Sequence, residues 1–99
     1  MDIIEKIKNG DVDELDLVEY VTDNDINIAI AAAESKLATE PILDIAAHDK
    51  NREVRLTAVR NPKTGIDILK MLTKDVDVKI AYIAKIRLER IKKRYEMVL

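Results

Sequence analysis

Val54-Arg55-Leu56-Thr57-Ala58-Val59 lies near the middle of a 99-residue chain and is echoed on both sides. Ile28-Ala29-Ile30-Ala31-Ala32-Ala33 precedes it at a spacing of 26, and Val78-Lys79-Ile80-Ala81-Tyr82-Ile83 follows it at a spacing of 24. All three read apolar, variable, apolar, small, variable, small or branched. Each is preceded by an acidic turn: Asp23-Asn24-Asp25, Asp49-Lys50-Asn51 and Asp75-Val76-Asp77. Before each turn lies a second apolar stretch, in which Leu17, Leu43 and Leu69 stand six residues ahead of the turn's first Asp. A register kept through three units points to a repeated supersecondary element.

The apolar spacings of three and four (Leu17, Tyr20, Val21; Leu69, Leu72; Ile80, Ile83, Ala84) fit a helical period. The punctuation agrees. Thr39 precedes Pro41 as an N-cap, Asn61-Pro62-Lys63-Thr64-Gly65 breaks a helix and offers Thr64 as the next cap, and the turn aspartates suit exposed first-turn N–H groups. The expected helices span about 2–8, 12–22, 25–37, 41–48, 51–60, 66–74 and 76–97. Each pair leaves an apolar face open, so stacked pairs share one core. The predicted fold is all-α, a right-handed α-α superhelix: a short α-solenoid of about six or seven helices. The chain reads as a single helical-repeat domain, 1–99, with units at about 11–37, 38–62 and 63–99.

Composition supports this. Apolar residues make up 47% and charged residues 36%, so the chain has enough apolar side chains for a core and is not a disordered polyelectrolyte. With no Phe and no Trp that core is aliphatic, and with no Cys it has neither disulfides nor thiolate metal sites. No stretch approaches the length of a membrane span, and Met1-Asp2 opens no basic leader, so a cytoplasmic protein away from the membrane is expected. The net charge of −2 conceals a polarity. Residues 1–25 sum to −7, residues 26–78 to zero and residues 79–99 to +5.

Val54-Arg55-Leu56-Thr57-Ala58-Val59-Arg60-Asn61-Pro62-Lys63-Thr64, followed by Ile68-Leu69, Leu72 and Asp75, resembles one unit of the leucine-rich repeat variant family, which belongs with the HEAT-like and armadillo-like helical repeats. Arg60-Asn61-Pro62-Lys63-Thr64 is the most specific part. The flanking units carry Ser35-Lys36 and Lys85-Ile86 where Asn-Pro falls, and Gly65-Ile66 replaces a usual Pro. The resemblance implies a stack of helices, some short or 3₁₀, that serves as a binding surface. The iron–sulfur cluster of one member is not carried over, because its cysteines are missing here.

Catalytic chemistry finds little purchase. His48 is the only histidine and sits at a predicted helix C-terminus, a structural position. Ser35 is the only serine and has no histidine in register, and Asp11, Asp13, Glu14 and Asp16 lack the spacing of a calcium loop. The expectation is a non-enzymatic scaffold or adaptor, without cofactor or metal, that binds another protein through its concave face. In HEAT-like stacks the second helices line that face, which would place Arg55, Arg60, Lys79 and Lys85 on a basic strip. The alternative is a nucleic-acid-binding domain using this strip and the basic C-terminal helix. On that helix Ile80, Ala84, Leu88, Ile91, Tyr95 and Val98 form an apolar stripe. A monomer or weak homodimer is expected, with the final helix as the contact.

Overall fold

In the computed structural model, residues 2–98 are described, the side chain of Val98 excepted, so its place in the expected stripe lies outside the described residues. Seven helices appear: α1 (Ile3–Lys8), α2 (Glu14–Val21), α3 (Ile26–Glu34), α4 (Glu40–Ala47), α5 (Arg52–Arg60), α6 (Ile66–Leu72) and α7 (Val78–Val98). Among the described residues there is no strand, and no helix is long and apolar enough to cross a membrane.

Helix starts recur at one interval. α2, α4 and α6 begin at Glu14, Glu40 and Ile66, and α3, α5 and α7 at Ile26, Arg52 and Val78, so both series advance in steps of 26. The third segment is therefore offset by two from the spacing of 24 expected from sequence. Ile80, not Val78, is the counterpart of Val54 and Ile28. Val54 and Ile80 are fully buried, whereas Val78 is exposed.

The turns explain the interval. Asp23, Asp49 and Asp75 each accept from the N–H two residues on, that of Asp25, Asn51 and Asp77, at 2.8 Å. Those three residues in turn accept from Asn27, Glu53 and Lys79 at 2.9, 2.8 and 3.0 Å. Two consecutive side-chain-to-backbone turns thus deliver the chain into each helix start, satisfying N–H groups that have no intrahelical partner.

Packing follows the same order. α2 lies on α3, α4 on α5 and α6 on α7, as three hairpins. α1, α3, α5 and α7 lie side by side in one layer, and α2, α4 and α6 in the other. Leu17, Leu43 and Leu69 are fully buried between the layers. Truncating such a leucine to alanine costs about 2–5 kcal/mol. α3 meets α1, α2, α4 and α5, and this crowding accounts for its run of buried alanines, Ala29, Ala31, Ala32 and Ala33.

Two expected caps act differently. Thr39 does occupy the N-cap of α4, but its hydroxyl donates to Glu14 Oε1 at 2.8 Å. Thr64 is not a cap at all: it is buried, and its hydroxyl donates to the Ala58 carbonyl at 2.6 Å, leaving Gly65 as the N-cap of α6. α3 also stops at Glu34, short of the expected residue 37, because Ser35 is extended and its hydroxyl accepts from the Leu37 N–H.

Candidate functional site

The layer of α1, α3, α5 and α7 turns one side to solvent, and its rows follow from the repeated helix register. Asn27, Glu53 and Lys79 occupy one row and Glu34, Arg60 and Ile86 another. Thr57, Arg60 and Glu34 line a shallow depression of ≈ 200 Å³ between α3 and α5. On α7 the row continues as Lys79, Ile83, Ile86, Arg90 and Lys93, spaced by three and four. The two isoleucines are half-buried and the three bases exposed.

The four basic residues named from sequence do not form one strip. Arg55 and Arg60 are five positions apart on α5 and so diverge by about 140°, and Lys79 and Lys85 are six apart on α7 and diverge by about 120°. Arg55 is a structural cation. Its Nε and Nη2 donate to the Asp75 carboxylate at 2.9 and 3.2 Å, and its Nη1 donates to the carbonyls of Asp49 and Lys50 at 3.0 Å. With 14% and 7% of their side chains exposed, Arg55 and Asp75 join the start of α5 to the turn before α7. Lys85 faces away from the row and lines a groove beside α6. Arg60 and Lys79 remain on the open face.

Other ties between units leave no signal in the sequence. Asn61 Nδ2 donates to the Ala33 carbonyl, 28 residues earlier, at 2.8 Å. Arg87 Nη1 donates to the Val59 carbonyl, also 28 residues earlier, at 2.7 Å, and to the Asn61 carbonyl at 2.9 Å. Asn61 and Arg87 are 26 apart, so two unlike side chains perform the same task in consecutive units. Partial burial pulls the Arg87 guanidinium below its usual range. Arg52 donates to Asp77 at 2.6 Å, and this bond, with the N–H of Ile80, holds the Asp77 carboxyl down to about 2.

No protein-family model, curated protein or solved structure matches this chain.

Of the acidic residues near the N-terminus named from sequence, Asp13 and Asp16 serve as caps. Asp13 accepts from the Asp16 N–H at 2.9 Å and Asp16 from the Asp13 N–H at 3.0 Å, a reciprocal capping box on α2. His48 caps the end of α4, its Nδ1–H donating to the Asp44 carbonyl at 2.8 Å. What separates the open-face cations from Arg55 is the helix register together with a partner in another turn: Arg55 reaches Asp75, 20 residues on, whereas Arg60 and Lys79 fall on the outward rows.

Proposed function

We propose that this chain is a non-enzymatic helical-repeat module, a short α-solenoid related to the leucine-rich repeat variant and HEAT-like families, that binds another protein across the open face of α3, α5 and α7. The observation that carries the reading is the row Lys79, Ile83, Ile86, Arg90 and Lys93 beside Arg60, in which bases flank half-buried isoleucines. Such a surface suits an acidic segment that also carries apolar side chains. The isoleucines supply area that is partly dry already, and the cations set orientation and speed encounter. The constant helix register and the two helix layers support the solenoid reading, since repeated hairpins of this kind present extended surfaces.

The test is co-purification from the native cell with the wild-type chain and with the Arg60→Glu, Lys79→Glu, Arg90→Glu triple variant, followed by titration of the partner recovered. All three positions are exposed, so the variant retains its helicity. Loss of binding supports the reading, and equal affinity for both chains overturns it.

The same cations favour a second reading, a nucleic-acid-binding domain that contacts phosphates through Arg60, Lys79, Arg90 and Lys93. Phosphate binding weakens steeply with salt through counterion release, and a mobility shift with single- and double-stranded probes at low and moderate salt separates the two readings.

A further inference from the structure

The two outer helices of the layer are covered differently: α1 lies on α3, while among the described residues no helix lies on the side of α7 away from α5. Two register comparisons show what this leaves bare. Leu56 of α5 is 4% exposed where α7 packs over it, while its counterpart Tyr82 of α7 is 63% exposed. Leu17, Leu43 and Leu69 are fully buried, while the next position in the same series, Tyr95, is 63% exposed. Residues 92–98 thus fall where a further helix of the α2, α4, α6 layer would begin. They do not fold back, because Arg87-Leu88-Glu89-Arg90-Ile91 stands where the previous unit has Asn61-Pro62-Lys63-Thr64-Gly65. Without that breaker α7 reaches a total length of 21 residues, about 31 Å, and passes the start of α6. Between its overhang and α6 opens a groove of ≈ 660 Å³ lined by Ile66, Lys70, Leu88, Ile91 and Tyr95, with Lys85, Glu89, Lys92 and Glu96 along one flank.

We propose that a second copy of this chain fills the groove with its own α7 overhang, reciprocally, forming an antiparallel two-fold dimer. The overhang contributes to the groove and also occupies it, so the surface must be self-complementary, and it is. A dyad beside Ile91 sets that residue against its own copy and Leu88 against the partner's Tyr95. On the flank, the same dyad sets Lys85 against the partner's Glu96 and Lys92 against the partner's Glu89. In an antiparallel pair related by such an axis, equivalent flanks meet, so these oppositely charged positions come together. The other flank would bring Arg87 towards the partner's Arg94. Arg87 is withdrawn from it, its guanidinium being held by the Val59 and Asn61 carbonyls. The second copy's overhang takes the place where the register would set a further helix of that layer, and Tyr95 acquires the buried place that its register assigns.

Light scattering and sedimentation of the whole chain, from micromolar to millimolar concentration, test the proposal. A species of twice the chain mass that persists in half-molar salt is expected, because the apolar stripe dominates the contact. Tyr95→Asp, at an exposed position, should remain helical by circular dichroism and sediment as a monomer. Glu96→Lys should weaken the dimer about tenfold, because the dyad breaks the pair with Lys85 twice. Adding Lys85→Glu to that variant restores the pairing and should recover the wild-type constant. A species of single-chain mass at every concentration overturns the proposal. So does Tyr95→Asp dimerising like the wild type, an absence of rescue in the double variant, or growth into salt-sensitive chains longer than a dimer.

Discussion

Replacing Asn61 with alanine removes a bond between units and leaves the rest of the turn standing. The Asn61 side chain is buried, donates to the Ala33 carbonyl at 2.8 Å and accepts from the Lys63 N–H at 2.9 Å. Lys63 is exposed, so its N–H rehydrates cheaply. The Ala33 carbonyl, in the last turn of α3 and inside the core, does not. An orphaned buried acceptor costs about 1–3 kcal/mol, which sets the expected loss near ~2 kcal/mol. For a chain of this size that lowers Tm by about 8–16 °C. Arg87→Met removes the equivalent bond one unit later, but there the donor is only half-buried and the bond part-buried, against the buried bond of Asn61, so a smaller loss of about 1 kcal/mol is expected. Urea unfolding followed by far-ultraviolet circular dichroism gives both values. Asn61→Asp, which faces a carboxylate towards the Ala33 carbonyl, should be worse than alanine at neutral pH. If Asn61→Ala loses less than about 0.5 kcal/mol, or less than Arg87→Met, the bond between units is not what holds α3 to α5.

Arg55→Met keeps the aliphatic stem but strands Asp75, and should cost about 2–3 kcal/mol in urea unfolding while leaving affinity at the open face unchanged. Asp77→Asn retains a capping oxygen but loses the ion pair with Arg52. Because the folded carboxyl is held down to about 2, below its unfolded value of about 3.8, the wild type is favoured above pH ~4, and that advantage fades as the pH falls through ~2. Tm measured against pH for both chains should converge there; a constant gap would remove the carboxylate as its cause. Gly65→Thr recreates at α6 the arrangement of Thr39 over Glu14, since Gly65 stands over the Glu40 carboxylate in the same register. Glu40 must move aside, as a flexible exposed side chain does, and a gain of about 0.5 kcal/mol is expected from the new hydroxyl–carboxylate bond and from reduced unfolded-state freedom. A loss of Tm would show that the carboxylate does not yield.

The helices are legible because spacings of three and four, a proline near a helix start and Asx-rich turns are local signals. All seven helix starts fall within two residues of their expected positions. What the letters hide is the offset of the third unit. Val78 resembles Val54 as a letter, yet Ile80 is the residue that enters the core. The turn residues Asp23, Asp49 and Asp75 already stand 26 apart, and they are the ones whose hydrogen bonds set the helix starts. The basic strip dissolves for a related reason. Arg55 looks like any exposed cation in a charged helix, and its partner Asp75 lies in a different turn, 20 residues away. Pairings between turns leave no periodic trace along one helix, and neither does the substitution of Arg87 for Asn61 in a shared task.

That shared task has an evolutionary corollary. Because Asn61 and Arg87 reach back by the same 28 residues and helices start at a constant step, the chain has a natural quantum of length. Excising residues 53–78 joins Arg52 to Lys79 within one continuous helix, and Arg87 then inherits the carbonyl of Ala33. An insertion or deletion inside a helix that is not a whole number of such steps pulls the later caps off their marks. Unequal recombination between neighbouring copies of such a gene segment would lengthen or shorten the molecule in whole hairpins, with each product arriving already bonded to its neighbour.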